Sequence, residues 1–524
     1  MKSKLIIVRR DEVKSVKRDT FENGLLPVVN PFLKLIIKRF DIECEQDGSL
    51  LINSLKDFLG KKAKLCRSCS SLNRMIAKPF YKIGSKALRV DTGFMGNKFF
   101  DDEYSEAWLK GFALMMKGIK KYGIRIPFTP AGPFEIVWNF TYTCNLKCKH
   151  CYEDAGAKRP ELSTEQAHAT IDVLSRIANT GLPALSFSGG EPLMRKDFFE
   201  IVAFAKKKIP FISVATNGTL LTKGNVKRLN EIGVDYVEVS LDGASKEVHE
   251  NFRMVPGCFE KTVKGIRNCV DENLGACIAT TVHKENLNEI SKIMELAEHM
   301  GVRFMHFNYI PTGRAKEHLK LDLTPKERLG LLQILGNKIV DLYIKSKEEE
   351  EKTGKTNISV DRIFSTCPQF ASVVKKIAQE KGHKYTVSAH YAAIKGVEIV
   401  ANFLGGCGAG RLYIALEPNG DIKPCVFFPT NENTVIGNIL KDDFENIWDN
   451  NPILWKLRTR EKLETYEING QTVGCGKCED KYICGGCRAR SYGYFNGNLN
   501  AADIGCIYNE GLWKEVTKSI ATRK

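Results

Sequence analysis

The chain has 524 residues, of which 43% are hydrophobic and 27% charged, as in an ordinary soluble globular protein. It has no run of about 18 apolar residues, and the apolar stretch at residues 5–8 is short, so neither a transmembrane helix nor a secretory signal is expected. Seventeen cysteines in so long a chain indicate metal binding in a reducing compartment rather than a disulfide framework, which predicts a cytoplasmic protein.

The net charge of +16 is concentrated at the start of the chain. Residues 1–133 hold 26 Lys and Arg against 14 Asp and Glu, and residues 61–90 hold nine basic residues and no acidic one. Apolar residues lie between them, which predicts basic amphipathic helices. One interpretation is a peripheral contact with an anionic membrane, or with an acidic partner such as a ferredoxin. A solvated basic face is the other, and nucleic acid is not the expected partner.

The N-terminal region, residues 1–132, is predicted to be mostly helical. Residues 49–52 resemble a short strand, and residues 101–123 carry acid at their start and base at their end, as a helix does. This helix has an apolar stripe that is expected to pack on the following domain, formed by Trp108, Phe112, Met115, Met116 and Ile119. Residues 127–133, rich in Pro and Gly, are the predicted linker.

Three cysteines of the N-terminal region are a weaker metal signal. Cys66 and Cys69 are separated by two residues, and Cys44 lies apart from them. These thiols could bind a metal, but the sequence supplies no clear second pair of ligands.

A cysteine loop follows the linker. Residues 134–141 have the β-branched and aromatic character of a buried strand, and Cys144, Cys148 and Cys151 come directly after it. Three close thiolates suit a 4Fe-4S cluster with one iron left open to a small molecule. Zinc is the alternative, but a zinc site needs a fourth protein ligand that is not found nearby.

This spacing, with His150 before the third cysteine, resembles the radical S-adenosylmethionine superfamily. The resemblance implies a 4Fe-4S cluster whose open iron is chelated by S-adenosylmethionine. It also implies reductive cleavage of that molecule to methionine and a 5'-deoxyadenosyl radical, which abstracts hydrogen from the substrate. A low-potential electron donor such as a ferredoxin is the implied partner.

Alternating strand and helix patterns continue over residues 133–322, which indicates parallel strands with crossover helices. The predicted strands cover residues 183–187, 211–215, 236–240, 276–282 and 303–310. With the first strand they give an α/β fold, a partial (β/α)6 TIM-like barrel. Polar residues gather at the carboxyl ends of these strands, where parallel α/β folds bind ligands.

The resemblance assigns several of these residues to S-adenosylmethionine. Gly189-Gly190-Glu191 matches the segment that binds the amino group of the ligand. The other implied contacts are Asn217, Ser240, Asp242 and Arg253, together with His150. The alternative for any single position is a strand-end polar residue that caps the next helix.

Residues 323–404 are predicted to be a helical connection and a substrate-facing insert. Thr324 and Glu327 form a capping box at the start of a helix. The charged residues 345–355 are predicted to be a solvated loop.

The C-terminal residues 405–524 contain the second cysteine-rich segment. Seven cysteines lie within 100 residues: Cys407, Cys425, Cys475, Cys478, Cys484, Cys487 and Cys506. This segment resembles the SPASM extension, which carries two auxiliary 4Fe-4S clusters. The resemblance assigns one cluster to Cys475, Cys478, Cys484 and Cys506, and the other to Cys407, Cys425 and Cys487. Cys367 is a candidate fourth ligand for the second cluster; otherwise that iron is open. Two structural zinc ions are the competing interpretation.

The sequence therefore predicts a radical S-adenosylmethionine enzyme that oxidises or cross-links an unactivated carbon of a large substrate. A membrane-associated lipid, a peptide and a tetrapyrrole are the candidate substrates. A non-enzymatic iron-sulfur electron carrier is the hypothesis from a different class, and Gly189-Gly190-Glu191 and Asp242 argue against it because a carrier needs no S-adenosylmethionine pocket.

Overall fold

The computed structural model describes residues 6–7, 26–87, 105–356, 358–387 and 404–521 of the chain. Its strands are β1 (Ile6–Ile7), β2 (Glu43–Cys44), β3 (Gly48–Ser49), β4 (Glu135–Thr141), β5 (Ala184–Gly189), β6 (Phe211–Thr216), β7 (Tyr236–Ser240), β8 (Ala276–Val282), β9 (Arg303–Asn308), β10 (Ile363–Ser365), β11 (Tyr413–Leu416), β12 (Asp421–Lys423), β13 (Gly437–Asn438), β14 (Tyr466–Ile468) and β15 (Gln471–Val473).

The α-helices are α1 (Leu26–Phe40), α2 (Leu50–Phe58), α3 (Arg67–Leu72), α4 (Lys78–Ala87), α5 (Ser105–Tyr122), α6 (Thr164–Leu174), α7 (Phe198–Lys206), α8 (Lys223–Ile232), α9 (Lys246–Arg253), α10 (Cys258–Asp271), α11 (Ile290–His299), α12 (Pro325–Thr353), α13 (Phe370–Glu380), α14 (Phe444–Asn450), α15 (Pro452–Arg458), α16 (Arg488–Tyr494) and α17 (Glu510–Ala521). A π-helical segment, Asn73–Ala77, joins α3 to α4. No helix in the described ranges has the length and apolar character needed to cross a membrane.

A mostly parallel sheet of ten strands lies at the centre of the fold. Its order is β10-β9-β8-β7-β6-β5-β4-β11-β12-β13, and every pair from β10 to β11 is parallel. Helices follow β5 to β9 as crossovers. The predicted α/β class is confirmed, and the predicted strands after the first agree with β5 to β9 within two residues. The sequence missed β10, which extends the barrel sheet from within the predicted insert.

The first barrel strand, β4, packs through its aromatic side chains. Trp138 and Phe140 lie on β4, and Phe187 lies on the neighbouring β5. All three are fully buried, with ring centroids 5.2–5.7 Å apart. Such runs are typical of parallel strands that are covered on both faces. The core under the sheet therefore fixes the strand from which the cysteine loop leaves.

The N-terminal helices form a separate apolar core. Its buried residues include Ile37, Phe40, Leu51 and Tyr81. Phe112, Met115, Met116 and Ile119 of α5 pack into this core, so the prediction that their stripe packs on the barrel is wrong. The predicted strand at residues 49–52 is also wrong beyond Ser49, because the Ser49 side chain caps α2, which begins at Leu50.

The long helix α12 begins as predicted and ends later. Thr324 and Glu327 form the expected capping box. The charged run predicted as a loop continues the helix to Thr353, because Glu and Lys are good helix formers, and Gly354 ends it in the left-handed conformation. Residues 388–403 of the predicted insert, and residues 101–104 before α5, lie outside the described residues.

The C-terminal region joins the barrel sheet directly. β11 pairs with β4, on the edge that β5 leaves open, and β12 and β13 continue the sheet in antiparallel pairing. A fully buried charge cluster crosses this junction: Lys423 lies 2.8 Å from Glu417 and 3.5 Å from Glu153, and Asn139 of β4 donates to both carboxylates.

We expect K423M to weaken this junction, because it leaves two buried carboxylates without their cation. Breaking a buried ion pair in this way costs about 3–5 kcal/mol. The local opening free energy, measured by amide hydrogen exchange in peptides covering β4 and β11, should fall by that amount. K441M, at an exposed lysine of the same region, is the control; equal exchange in the two variants would contradict the assignment.

Candidate metal centres and active site

The loop after β4 carries the three cysteines, and each sulfur accepts one hydrogen bond. The backbone N–H of Leu146 donates to Cys144 Sγ at 3.4 Å, and that of Ala155 donates to Cys151 Sγ at 3.4 Å. Arg253 Nη1 donates to Cys148 Sγ at 3.6 Å. Donors of this kind stabilise thiolates and tune iron-sulfur clusters, so the three sulfurs fit the ligand set of a 4Fe-4S cluster.

Two other elements hold this loop in place. The backbone N–H groups of Lys147 and Lys149 donate to the carbonyls of Arg253 and Phe252 at the end of α9. Arg314, after β9, donates from its backbone to Cys151 and from Nε to the Cys148 carbonyl. Arg314 follows a predicted strand, but no sequence motif indicates its contact with the cysteine loop.

Glycine is required next to Arg314. Gly313 has a φ of +57°, and an added Cβ would overlap the Cys151 carbonyl oxygen. The backbone after β9 therefore contacts the cysteine loop without an intervening side chain.

A buried ion pair lies next to Cys148. Arg253 Nε is 2.6 Å from Asp242 Oδ2, and Asp242 Oδ1 accepts from the backbone N–H of Thr281 at the end of β8. Burial raises the pKa of Asp242, while Arg253 lowers it. His249 accepts from the Asp242 backbone through Nδ1, and the sequence analysis did not single it out. Asp242 and Arg253, predicted to face the ligand, thus form one charged unit beside the cysteine loop.

The Gly-Gly-Glu segment connects β4, β5 and β6. The backbone N–H groups of Gly190 and Glu191 donate to the carbonyls of Thr141 and Thr143. An added Cβ at Gly190 would overlap the Thr143 carbonyl oxygen, so only glycine allows this approach.

The Glu191 carboxylate is fully buried at the end of β6. It accepts from Thr216 Oγ1 at 2.8 Å and from the Asn217 backbone N–H at 2.8 Å. Burial raises its pKa to about 7 against these hydrogen bonds. In this arrangement the carboxylate fixes the positions of two strand ends.

The remaining predicted ligand contacts lie around the same opening. Asn217 donates to Asn145 of the cysteine loop at 2.7 Å, and Ser240 ends β7 and is half-buried. His150 stacks on Phe252 at 4.4 Å, and Phe252 stacks on His283 at 3.8 Å. Burial lowers the pKa of His150 well below its ordinary value, so its ring is neutral.

The C-terminal cysteines fall into two groups. Burial and the neighbouring Cys475 and Cys478 raise the pKa of Cys506, and burial, Cys506 and Cys475 raise that of Cys484. Backbone contacts link the same residues: the Cys478 N–H donates to the Cys475 carbonyl, and the Gly486 N–H donates to Cys484 Sγ. The Cys506 N–H donates to the carbonyl of Asp503, whose own N–H donates to Cys475 Sγ. The four cysteines are soft ligands, enough to close a 4Fe-4S cluster.

The second group lines one cavity: Cys407, Cys425 and Cys487. Tyr413, which the sequence analysis missed, donates from its hydroxyl to Cys425 Sγ at 3.3 Å. Cys367 is fully buried, and its chain neighbours Thr366 and Pro368 line the same cavity. Cys367 also contributes to the raised pKa of Cys484.

Asp503 bridges the two groups. It pairs with Arg490 at 2.7 Å, and both side chains are fully buried. Its carboxylate accepts from the Cys487 backbone at 2.8 Å, and its own N–H donates to Cys475 Sγ at 3.3 Å. Arg490 also donates to Asn308 at the end of β9. This charged contact places the auxiliary cysteines against the barrel.

Two family models match the chain. The radical SAM superfamily model matches residues 138–297, and the SPASM model, an iron-sulfur cluster-binding domain, matches residues 407–488. The two matches coincide with the two cysteine-rich parts of the structure.

The curated relatives include an AdoMet-dependent heme synthase of Methanosarcina barkeri, which is 35% identical over 72% of this chain and 97% of that protein. The mycofactocin maturase MftC of Mycobacterium tuberculosis is 29% identical over 72% of this chain and 83% of its own length. Among solved structures, Streptococcus suis SuiB bound to S-adenosylmethionine has a TM-score of 0.57 at 18% identity, over 84% of this chain and 89% of that one. This likeness supports the fold.

We expect E191Q to lose S-adenosylmethionine binding while keeping its iron. A Gln side chain in the same position would point its amide N–H₂ at the Thr216 hydroxyl or at the Asn217 backbone N–H. Two facing donors cannot form a hydrogen bond, so buried polar groups would lose their partners. The dissociation constant, measured anaerobically by equilibrium dialysis, should rise at least about tenfold, the factor that corresponds to 1.4 kcal/mol.

The control for this variant is E200Q, because Glu200 lies on α7 with an exposed side chain. Iron content should be equal in the wild type and both variants. Unchanged binding in E191Q would contradict the positioning role of this carboxylate.

Proposed function

The chain belongs to the radical S-adenosylmethionine superfamily and carries a C-terminal SPASM domain, and from this premise we propose that it abstracts hydrogen from an unactivated carbon of an anionic membrane lipid. Membership of this family shows an enzyme that uses S-adenosylmethionine, a 4Fe-4S cluster and auxiliary iron-sulfur clusters. The lipid substrate is supported by one observation, the exposed apolar and basic face of the N-terminal helices.

In the proposed site, the residues at each strand end have a separate role. Cys144, Cys148 and Cys151 would hold the cluster, and Glu191 would fix the segment that receives the ligand's amino group. The Asp242–Arg253 unit would place a positive charge next to the ligand's carboxylate. When bound, the cluster supplies the electron that cleaves S-adenosylmethionine into methionine and a 5'-deoxyadenosyl radical.

The auxiliary cysteines support an oxidative outcome. Loss of a hydrogen atom leaves the substrate with an unpaired electron, which must be removed or paired with a second carbon or a sulfur. The group formed by Cys407, Cys425 and Cys487 lines a cavity beyond the carboxyl end of β9, where Asn308 lies. An electron acceptor held there would complete an oxidation or a cross-link.

The exposed face of the segment from α3 to α4 supports a lipid substrate, because it combines apolar and basic side chains. Met75 is 64% exposed and Ile83 69% exposed, and the same helical face holds Arg74, Lys78 and Lys82. α1 repeats the pattern, since Phe32 and Leu35 are exposed beside Lys38 and Arg39. Exposed apolar side chains among basic ones are typical of helices that lie on anionic membrane surfaces.

A tetrapyrrole is the second candidate substrate, because a 35% identical relative is named as a heme synthase. A peptide is the third, supported by the mycofactocin maturase. Neither explains an exposed apolar face on the N-terminal helices, which lie outside both matched domains.

We expect the anaerobic, reconstituted protein to release 5'-deoxyadenosine from S-adenosylmethionine and dithionite, and C148A to release none. Cys148 is one of three ligands, so its loss should remove about one 4Fe-4S cluster per chain. Liquid chromatography with mass spectrometry measures the product, and iron analysis measures the cluster. C269A, at a buried thiol within the barrel core, should match the wild type. Product formation by C148A would contradict the cluster assignment.

We also expect the protein to sediment with phosphatidylglycerol vesicles, and high salt to weaken this binding through screening. The double variant M75S/I83S should bind at least about tenfold less tightly, because two apolar side chains leave the membrane. The control is I334S, which removes an apolar residue that is 45% exposed on α12.

Equal vesicle binding by the wild type and M75S/I83S would contradict the lipid proposal. Hydrogen transfer from a porphyrin substrate, but not from lipid, would assign the activity to the second candidate.

A further inference from the structure

Four side chains of types that bind metals meet in the N-terminal helical region, outside both matched domains. Antiparallel strands β2 and β3 form a hairpin that carries Cys44 on its first strand and Asp47 in its turn. Cys66 is the N-cap residue of α3, and Cys69 lies in the first turn of that helix. The sulfur atoms of the three cysteines and a carboxylate oxygen of Asp47 all lie within 4.8 Å of one another.

These distances fit one ion and not a cluster. A tetrahedral zinc with Zn–S bonds of about 2.3 Å places its sulfur ligands about 3.8 Å apart. Cys44 Sγ lies 3.9 Å from Cys66 Sγ, and Asp47 Oδ2 lies 3.6 Å from Cys44 Sγ. A 4Fe-4S cluster would hold its thiolates farther apart, because each binds a different iron. In the described part of the chain, no other group of His, Cys, Asp or Glu side chains converges on one point in this way.

We propose that Cys44, Asp47, Cys66 and Cys69 bind one zinc ion. Three thiolates and one carboxylate complete a four-coordinate structural site of the ligand types that zinc accepts. The site needs neither S-adenosylmethionine nor the iron-sulfur clusters.

The surroundings orient these ligands before any ion binds. The Cys66 backbone N–H donates to Asp47 Oδ2 at 2.5 Å, which directs the carboxylate toward the thiols. Asn53 of α2 donates to the Asp47 carbonyl at 2.7 Å and holds the turn. Outer contacts of this kind orient ligands and raise metal affinity.

The ion would connect the β2–β3 hairpin to the start of α3, a later segment of the chain. Cys69 is buried in the N-terminal apolar core, whereas Cys44, Asp47 and Cys66 are half-buried and accessible to an entering ion. The hairpin would thus be fixed to the start of the helices whose exposed face holds Met75 and Ile83. Metal binding in such sites contributes directly to folding.

The test is a zinc measurement on the full-length protein, purified without oxygen from cells grown with zinc and iron. Plasma mass spectrometry should give close to one zinc per chain in the wild type after dialysis, and less than about one tenth of that in C66S, since even an outer ligand contact changes affinity 10–100-fold. X-ray absorption at the zinc edge does not detect iron, and it should show that three sulfurs and one oxygen bind the zinc.

C269A is the matched control, because Cys269 is a buried thiol away from these ligands, and it should keep its zinc. In C66S, amide exchange should accelerate in peptides covering β2, β3 and α3, while β4 peptides and iron content stay unchanged. Should C66S fail to fold, C44S removes a half-buried thiol on the hairpin and should likewise hold less than about one tenth of the wild-type zinc.

Wild-type protein without zinc, or with iron at this site, would overturn the proposal. Zinc bound only by nitrogen and oxygen, or zinc retained in both C66S and C44S, would do the same.

Discussion

The geometry of the active site depends on the shared direction of the barrel strands. Because β4 to β9 are parallel, their carboxyl ends meet at one edge of the sheet, and each strand supplies polar groups there. β4 supplies the cysteine loop, β5 the Gly-Gly-Glu segment, and β7 the aspartate that pairs with Arg253. A change in the register of one strand would move its side chains away from all the others.

Three groups of paired buried charges hold the strand ends and the C-terminal region in place. Asp242 holds Arg253 beside Cys148, Asp503 holds Arg490 beside Asn308, and Lys423 is shared by two carboxylates. A buried charge without a partner is far more costly than a paired one, so these contacts favour one arrangement of the domains over others. The auxiliary cysteines and the cysteine loop are positioned through the same interactions that hold the fold together.

The sequence predicted the parts of this structure that short segments encode. The strands β5 to β9 and the capping box of Thr324 follow from local patterns, and the cysteine spacings point to three of the four groups of candidate metal ligands. The run at residues 345–353 was misassigned because charge was taken as a sign of a loop, although Glu and Lys also favour helices. Arg314 and Asp503 were missed because their roles arise from contacts with residues more than 15 positions away. Cys44 and Cys66, 22 residues apart, become neighbours only when the N-terminal helices pack.

The pairing of β11 with β4 has a consequence for biosynthesis. While the ribosome is still translating the middle of the chain, one edge of β4 is without its neighbour, since each residue of β11 is made 278 positions after its partner in β4, as in the pair Tyr413 and Glu135. Unpaired edges of apolar strands promote association between nascent chains. Completion of the sheet therefore comes late in synthesis, and a chain interrupted before β11 would depend on chaperones to stay unaggregated.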